Sequence, residues 1–402
     1  MPTTTHCIPK NPVLADQTNA TRSVNDERQP APAPRVSIIL ICRCEALHIR
    51  AALTSILTQE QPEGGFEIVV ADGMSEDGTR EVLAEIAAAD PRVRVIDNPA
   101  KLTAAGLNAA IRAAAGPILV RMDAHTKYAP DYLRQCVSVL HSTGADNVGG
   151  PWIAHATNYV GEAIAAAFQS RFAAGGARSH LTRYEGEVET VYLGCWRKQV
   201  FQRFGGFDEA LARNQDDEHN LRIIRGGGRI WQSPKIRSWY YSRTSLQRLF
   251  KQYLQYGYWK VQVIRKHGKP ASVRHLIPGA FVLTLLLLGL SCSLFLVAAA
   301  LWPAPQLPGT VSSWLFWPAL TGLVSIVSLY ILALGLASLH TARRTKWKLL
   351  PALPLVFCCY HIGYGLGFLR GVLDFVVLKH NPAASMSGLT RETANKSLSI
   401  TG

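Results

Sequence analysis

The stretch RVSIILICRCEALHIRAALTSILTQEQPEGGFEIVVADG, residues 35–73, decides the fold class. It opens with an apolar run typical of a buried strand (35–42) and continues with alanine, leucine and isoleucine at helical spacing (48–59). A second apolar run (66–73) ends in a carboxylate and turn residues. A strand, a helix and a strand in this order predict two parallel strands joined by a right-handed crossover.

The same alternation continues to residue 123. A helix is predicted at 77–89, where Asp-Gly-Thr is a helix-start signal, then a strand at 93–99, a helix at 103–115 and a strand at 117–123. This order predicts an α/β domain with a mostly parallel sheet and helices on both faces. Ligands bind such sheets at the carboxyl ends of the strands, where Asp72 and Asp123 are predicted to lie.

The segment RMDAHTK, residues 121–127, carries a carboxylate and a histidine two positions apart. Asp123 and His125 can therefore project to one side of an extended chain. An aspartate oxygen and an imidazole nitrogen suit Mn²⁺ well and Mg²⁺ less well, and such an ion would neutralise a departing diphosphate. Taken alone, the pattern favours a solvated histidine at a strand end, and Asp72 alone is equally well explained as a turn residue.

An acidic cluster lies in FGGFDEALARNQDDEHNLRIIRGGGRIW, residues 204–231. Asp216, Asp217 and Glu218 are predicted at the start of a helix, where the helix dipole favours carboxylates. They either cap this helix or include a general base that takes a proton from an attacking hydroxyl.

Basic residues are concentrated beyond the α/β domain. Residues 235–274 hold ten Lys and Arg and no acid, whereas residues 1–234 hold 24 basic and 26 acidic residues. The formal net charge of +14 therefore does not come from the α/β domain, and it does not indicate that this domain binds nucleic acid. A basic band beside hydrophobic segments is typical of contact with an anionic membrane surface.

Three apolar segments follow, at 277–302, 314–338 and 349–369. The first two have no charged residue and exceed the roughly 20 residues that cross a bilayer as a helix. The third holds two prolines and a histidine, and either spans or dips in and returns. Because the loop 340–348 is basic and the loop 303–313 is uncharged, the positive-inside rule predicts a cytoplasmic catalytic domain on a multi-pass protein of the plasma membrane.

The predicted organisation is a disordered leader (1–34), a catalytic domain (35–234), a basic amphipathic membrane-interface segment (235–274), a transmembrane region (275–378) and a tail (379–402). The leader is polar and lacks the apolar core of a signal peptide. Eight cysteines without a CxxC pair fit a reducing compartment.

In their order along residues 35–260, these motifs resemble a family 2 glycosyltransferase with the GT-A fold. The resemblance implies a Rossmann-like nucleotide-sugar-binding sheet with flanking helices, followed here by transmembrane helices. It implies an inverting, metal-dependent transfer from a UDP-sugar. By the same resemblance, the nucleotide-sugar site comprises Glu45, Asp72 (which accepts from the nucleobase), Lys101, Asn108 and Asp123, and Asp123 with His125 would hold Mn²⁺ or Mg²⁺.

The acidic cluster matches the family's base motif, in which an arginine follows the base by six residues. Counting back from Arg222 favours Asp216 as the base, with Asp217 as the alternative. Trp196 belongs to GCWRKQVFQRFGGFDE (194–209), which resembles the stretch that shapes the acceptor side.

The chain also departs from the family pattern. Ile41 replaces the usual proline after the first strand, and Cys44 precedes Glu45 where an asparagine is usual. Gln215 replaces the acid that normally precedes the base. His125 replaces the second carboxylate of the metal motif, but Asp-x-His also occurs in GT-A enzymes and preserves ligation.

Within the family, the chain is most similar to enzymes that build bacterial exopolysaccharide on a lipid carrier, of the succinoglycan glucosyltransferase type. The expected partners are a UDP-sugar (UDP-glucose by this resemblance), a lipid-linked saccharide acceptor, the membrane and other polysaccharide-assembly enzymes. Arg243, Arg248 and Lys251, in SRTSLQRLFKQYLQYGYWK (242–260), are expected at the acceptor or lipid interface.

Two alternatives stay open at this stage. A processive polysaccharide synthase is disfavoured because its usual Gln-x-x-Arg-Trp signature does not occur in the sequence. A non-catalytic membrane scaffold with a degenerate transferase domain is supported by Cys44 and His125 but disfavoured by the three retained aspartates.

Overall fold

The computed structural model describes residues 35–388 except Thr157 and residues 302–308. The predicted leader, the end of the tail from residue 389 and most of the loop 303–313 lie outside the described residues.

Eleven strands are formed by the described residues. They are β1 (Val36–Cys42), β2 (Phe66–Asp72), β3 (Val93–Asp97), β4 (Ile118–Asp123), β5 (Thr126–Tyr128), β6 (Asn147–Gly150), β7 (Ile153–His155), β8 (Gly186–Glu187), β9 (Tyr192–Arg197), β10 (Ile230–Gln232) and β11 (Ser238–Tyr241).

The main sheet has the strand order β3-β2-β1-β4-β9-β6-β10-β8. The predicted strands β1 to β4 pair in parallel, which confirms the α/β core. Six of its eight strands run in the same direction, and the sheet is mixed because β9 runs antiparallel to β4 and β6 and β8 runs antiparallel to β10. The later strands of this sheet are short, and the regular alternation of strand and helix that predicted β1 to β4 does not continue through this part of the chain.

The helices of the domain and of the segment after it are α1 (Ile49–Leu57), α2 (Thr79–Ala89), α3 (Thr103–Ala113), α4 (Tyr132–Thr143), α5 (Tyr159–Phe168), α6 (Arg171–Ala174), α7 (Gln199–Phe204), α8 (Gln215–Arg225) and α9 (Leu246–His267). They cover both faces of the main sheet. Ile38 and Leu40 of β1 pack on one face with α1 and α4, whereas Ile39 packs on the other face with α3. This alternation along one strand is the period-two pattern of a sheet buried on both sides.

The predicted membrane-interface segment 235–274 belongs partly to the catalytic domain. Its strand β11 joins β5 and β7 in a second, three-stranded sheet. Its helix α9 is largely buried, and two of its cations form ion pairs with the domain, Lys260 with Asp217 (2.6 Å) and Lys266 with Asp208 (2.5 Å). With Arg237 and Arg274, at least four of the ten cations that indicated a membrane surface form ion pairs within the chain.

Three helices are long and apolar enough to cross a membrane, Val273–Ala298, Phe316–Arg344 and Leu353–Val377. The first two correspond to α10 (Ile277–Leu301) and α11 (Gly309–Arg344). The third combines α12 (Leu353–Cys358) and α13 (Tyr364–Val372) with π-helical turns after each, and we call Leu353–Val377 the third apolar helix. It extends beyond the predicted end at residue 369, and the buried Asp374 in this extension accepts hydrogen bonds at Oδ2 from Tyr258 Oη (2.9 Å) and Arg370 Nε (3.0 Å).

The third apolar helix packs on α9 through glycines, which we call the glycine seam. An added Cβ on Gly257 of α9 would lie 2.0 Å from the carbonyl oxygen of Tyr364, and one on Gly367 would lie 1.9 Å from that of Leu254. Gly363 and Gly371 continue the same contact at intervals of four residues. The two backbones therefore touch directly, in the way that small residues permit between packed helices.

Candidate active site

The carboxyl ends of β1, β2 and β4 meet at one edge of the main sheet, where a cavity of about 800 Å³ opens. The strand register aligns Cys42 with Asp72 and Ile41 with Asp123. This edge is where a parallel sheet binds its ligands. Of the residues predicted for the site, the cavity is lined by Glu45, Lys101, Asp123, His125, Asp216, Asp217 and Arg243.

Asp123 and His125 lie together at this edge, as predicted from their spacing. His125 Nε2 is 3.7 Å from a carboxylate oxygen of Asp123, and His125 Nδ1 is 3.7 Å from one of Glu45. Tyr128 fixes the backbone of Asp123: its hydroxyl accepts from the Asp123 N–H (2.6 Å) and donates to the Asp123 carbonyl (3.1 Å). Two side chains of metal-binding type are thus held on a rigid strand end.

The donor set fits a divalent ion that is shared with a diphosphate. In the part of the chain that the structure describes, no group of three or more His, Cys, Asp or Glu is arranged to hold a metal. One carboxylate and one imidazole nevertheless suffice where phosphate oxygens complete the coordination, as is usual for ions bound with nucleotides.

Arg121 links the predicted metal ligand to the predicted base. Its Nε donates to Asp123 Oδ1 (3.1 Å), and its Nη1 donates to Asp216 Oδ1 (2.5 Å). Arg121 is only 6% exposed. It was missed in the sequence, although it stands two positions before Asp123 on the same strand and therefore faces the same side.

Asp216 and Asp217 lie in the first turn of α8 but have opposite electrostatic environments. Removal from bulk water inside the cavity raises the pKa of Asp216 above its ordinary value, although Arg121 opposes this shift. Burial acts in the same direction on Asp217, but the ammonium of Lys260 outweighs it and leaves the pKa of Asp217 below its ordinary value. Asp217 is therefore held as an ion pair, whereas Asp216 is the more basic carboxylate.

Asp72 is fully buried, and its carboxylate holds the loop that follows β2. It accepts from the Ser75 N–H (3.0 Å), the Ser75 hydroxyl (2.6 Å) and Arg80 Nη1 (2.9 Å). Gly73, next in the chain, lines the cavity although Asp72 does not. The geometry is that of a residue that shapes the binding loop.

Four other predicted residues do not line the cavity. The side-chain amide of Asn108 donates to the Phe207 carbonyl and accepts from the Phe207 N–H, both at 2.8 Å, and so connects α3 to the loop before α8. Trp196 is 1% exposed, in an aromatic cluster with Phe201. Arg248 donates to the hydroxyl of Thr244, which lies just before the start of α9 (3.3 Å), and Lys251 is exposed outside the cavity.

The cavity continues from the sheet edge towards the apolar helices. Its far wall includes residues of all three, namely Ile277, Pro278 and Phe281 of α10, Tyr330 of α11, and Tyr360, His361 and Tyr364 of the third apolar helix. An aromatic group between the two ends contains Trp152, which stacks on Phe168 with ring centroids 5.3 Å apart. No motif in the sequence connects these segments, so this wall was not predicted.

Comparison with known proteins agrees with this architecture. The family model described as glycosyl transferase family 2 matches residues 37–195. The chain is 34% identical over 244 residues to the succinoglycan biosynthesis protein ExoA of Rhizobium meliloti, which covers 60% of this chain and 73% of that protein.

A second relative is similar over a longer range. The chain is 24% identical over 346 residues, 84% of its length and 97% of the relative's, to the dolichyl N-acetyl-alpha-D-glucosaminyl phosphate 3-beta-D-2,3-diacetamido-2,3-dideoxy-beta-D-glucuronosyltransferase of Methanococcus voltae. Among solved structures, the mannosyltransferase PcManGT of Pyrobaculum calidifontis, in complex with GDP-Man and Mn²⁺, superposes with a TM-score of 0.51 at 19% identity, covering 83% of this chain and 87% of that one. At this identity the likeness concerns the fold alone.

Proposed function

The chain belongs to glycosyltransferase family 2, and from this premise we propose that it transfers a sugar, with inversion, from a UDP-sugar to a hydroxyl of a polyprenyl-diphosphate-linked saccharide. Glucose is the proposed sugar, and bacterial exopolysaccharide assembly at the inner membrane is the proposed setting. The relatives support the class of reaction: one is named for succinoglycan biosynthesis, and another for transfer to a dolichyl-phosphate-linked sugar.

One observation carries the proposal: a single cavity joins the sheet-edge carboxylates to the apolar helices. Asp123 and Asp216 line it at one end, and Pro278 and Phe281 of α10 line it at the other. A soluble sugar acceptor would need no apolar wall. An acceptor whose saccharide reaches the carboxylates while its lipid stays among apolar helices uses the whole cavity.

On the donor side, the nucleotide would lie at the sheet edge beside Gly73 and Lys101. Asp72 would act through the loop that it holds, since its carboxylate oxygens already accept several hydrogen bonds. Asp123 and His125 would hold Mn²⁺ or Mg²⁺, which supplies charge neutralisation to the diphosphate leaving group.

Asp216 is the proposed base. Two neighbouring carboxylates whose pKa values are shifted in opposite directions are often divided between proton transfer and charge pairing. The pKa of Asp216 is raised by its removal from bulk water, so this carboxylate accepts a proton more readily than Asp217, which is paired with Lys260. Asp216 would take the proton of the acceptor hydroxyl as the latter attacks the anomeric carbon on the side opposite the diphosphate.

The proposal is tested with membranes that contain the protein, incubated with a panel of labelled UDP-sugars and polyprenyl-diphosphate-linked saccharides. We expect the lipid-linked acceptor to gain one sugar residue, with inverted anomeric configuration by NMR. Long polymer formed from the UDP-sugar alone would instead identify a processive synthase, and transfer only to soluble saccharides would contradict the lipid-linked acceptor.

Metal dependence is tested on the same preparation. EDTA should abolish transfer and Mn²⁺ should restore it, because the two proposed ligands provide charge for the diphosphate only through an ion. His125→Ala should raise the Mn²⁺ concentration needed for half-maximal rate by roughly tenfold or more. Full turnover in EDTA would return His125 to a purely structural role.

A further inference from the structure

A cluster of charged and polar side chains lies in the cavity where it approaches the apolar helices. Asp217, Arg274, His275 and Tyr364 all line the cavity here, and Lys260 pairs with Asp217 at 2.6 Å. Asp217, Lys260 and Arg274 interact electrostatically with His275, and Asp217 and Arg274 do so with Tyr364. These side chains come from α8, α9, the short helical turn before α10 (Val273–His275) and α13, which meet at this point.

Two buried polar atoms of this cluster lack a partner. Tyr364 Oη and His275 Nδ1 make no hydrogen bond to any residue that the structure describes. A buried hydroxyl or imidazole nitrogen without a partner costs on the order of 1–3 kcal/mol, and native proteins normally satisfy such atoms with water or a ligand. Both atoms can donate a hydrogen bond, so a ligand with acceptor oxygens suits them.

The charge of the surrounding wall favours an anion. Arg171, Arg213, Arg243 and Arg274 line the cavity, and Asp217 is the lining carboxylate that interacts with His275 and Tyr364. Lys260 already neutralises Asp217, and Arg121 already pairs with Asp216. Arg274 also pairs with Glu189, but that side chain is half exposed and does not line the cavity.

The cluster lies at the membrane end of the site. Arg274 and His275 fall at the start of the first helix long and apolar enough to cross a membrane, Val273–Ala298. Beyond them the wall becomes apolar, with Pro278 and Phe281 from the next turns of the same helix. A charged group held at His275 would therefore be followed by an apolar channel wall.

We infer that Arg274, His275 and Tyr364 form the subsite that binds the phosphate or diphosphate of a membrane-embedded acceptor. The inference rests on the proposed function, because it assigns the acceptor's anionic group to a place in the proposed site. The saccharide then extends from this subsite past Asp217 to Asp216, and the lipid follows α10. Arg248 and Lys251, which the sequence suggested for this role, do not line the cavity.

The test measures binding of farnesyl diphosphate to the purified full chain in detergent micelles, by isothermal titration calorimetry with EDTA present so that no metal holds the diphosphate. We expect Arg274→Gln and Tyr364→Phe each to raise the Kd about tenfold, which is the effect of one lost hydrogen bond to a charged group. Tyr364→Phe is the sharper variant, since it removes only the unpartnered hydroxyl.

Matched controls are Arg229→Gln and Tyr159→Phe, which remove an arginine and a hydroxyl outside the cavity. Neither should change the Kd. Farnesol should bind at least tenfold more weakly than farnesyl diphosphate, and so should inorganic diphosphate. Equal binding of farnesol would overturn the phosphate assignment, and equal binding of inorganic diphosphate would overturn the lipid source.

This experiment separates the inference from the proposed function. If the wild-type protein extends a lipid-linked acceptor but both variants bind farnesyl diphosphate normally, only the subsite assignment is wrong. If the wild-type protein extends soluble acceptors alone, the proposed function is wrong whatever the variants bind.

Discussion

Asp216 and Asp217 are adjacent in the chain, yet their surroundings shift their pKa values in opposite directions. We expect Asp216→Asn to lower kcat by roughly 10²–10⁴-fold, the usual contribution of a general base, while UDP-sugar binding by calorimetry stays unchanged. Asp217→Asn should lower kcat by less than roughly tenfold, because its carboxylate is committed to Lys260. The reverse order of effects would transfer the base assignment to Asp217.

Arg121 affects the protonation of Asp216, with which it forms a hydrogen bond. Its guanidinium lowers the pKa of Asp216 against the raising effect of burial. Arg121→Gln should therefore raise the pKa of Asp216, so that the ionised base forms only at higher pH. The acidic limb of the kcat/KM–pH profile should move to higher pH, and the rate at neutral pH should fall roughly tenfold or more as the base loses its anchor.

The matched control is Arg94→Gln, which removes an arginine paired with Glu67 outside the cavity. Its pH profile should coincide with that of the wild-type protein. An unmoved acidic limb in Arg121→Gln would mean that Arg121 has only a structural role.

At the residue scale, the sequence predicted what lies close together in the chain. The spacing of Asp123 and His125 was enough to bring them to one side, and the structure has them 3.7 Å apart. The pairing of Arg121 with Asp216 joins positions 95 residues apart, and no local pattern encodes it. Asn108 and Trp196 were assigned to the site by motif; in the structure Asn108 hydrogen-bonds the backbone of Phe207 and Trp196 packs on Phe201, contacts that no local pattern encodes.

At the element scale, the glycine seam leaves no room for a larger side chain between α9 and the third apolar helix. Gly257→Ala would force a Cβ against the Tyr364 carbonyl, and overpacking of this kind costs about 1–3 kcal/mol. We expect a lower Tm in detergent and a loss of transfer, because the seam positions Tyr364 at the cavity wall.

Gly289→Ala is the control for this change, since Gly289 lies in an apolar helix, α10, and an added Cβ there meets no atom within 4 Å. It should leave both Tm and activity unchanged. Equal effects of the two substitutions would show that helix propensity, and not the contact with α9, decides the outcome.

The elements themselves were predicted with unequal success. Strands β1 to β4 and helices α1 to α3 were found because each repeats a strong period. Strand β11 was hidden inside a basic segment, whose charge suggested a membrane surface, although SWYY pairs with two strands of the domain. The buried side of α9 could not be recognised without its partners, among them Asp217 and the seam glycines.

At the scale of the whole molecule, the third apolar helix differs from the other two. It lies along α9, and the chain after it returns to the domain: Trp259 Nε1 donates to the Met386 carbonyl (2.9 Å), and Arg213 donates to that of Gly388 (3.1 Å). We therefore propose that α10 and α11 cross the membrane and that the third helix does not. The loop at Lys346 and Lys348, paired with Glu162 of α5, would lie on the same side as the domain.

Reporter fusions check this orientation. Alkaline phosphatase inserted after residue 306 should be active, and green fluorescent protein fused after residue 402 should fluoresce. The same fluorescent protein inserted after residue 306 is the control and should be dark. Phosphatase activity at the C-terminus would mean that the third apolar helix crosses the bilayer.

The glycine seam also fixes the order in which the enzyme can become active during synthesis. Helix α9 leaves the ribosome roughly 100 residues before its partner helix, a delay on the order of 5–20 s at typical rates of elongation. During that interval α10 and α11 can enter the bilayer, but Tyr360, His361 and Tyr364 have not yet completed the cavity. The wall of the cavity is thus complete only after all three apolar helices have been synthesised and the third has packed on α9.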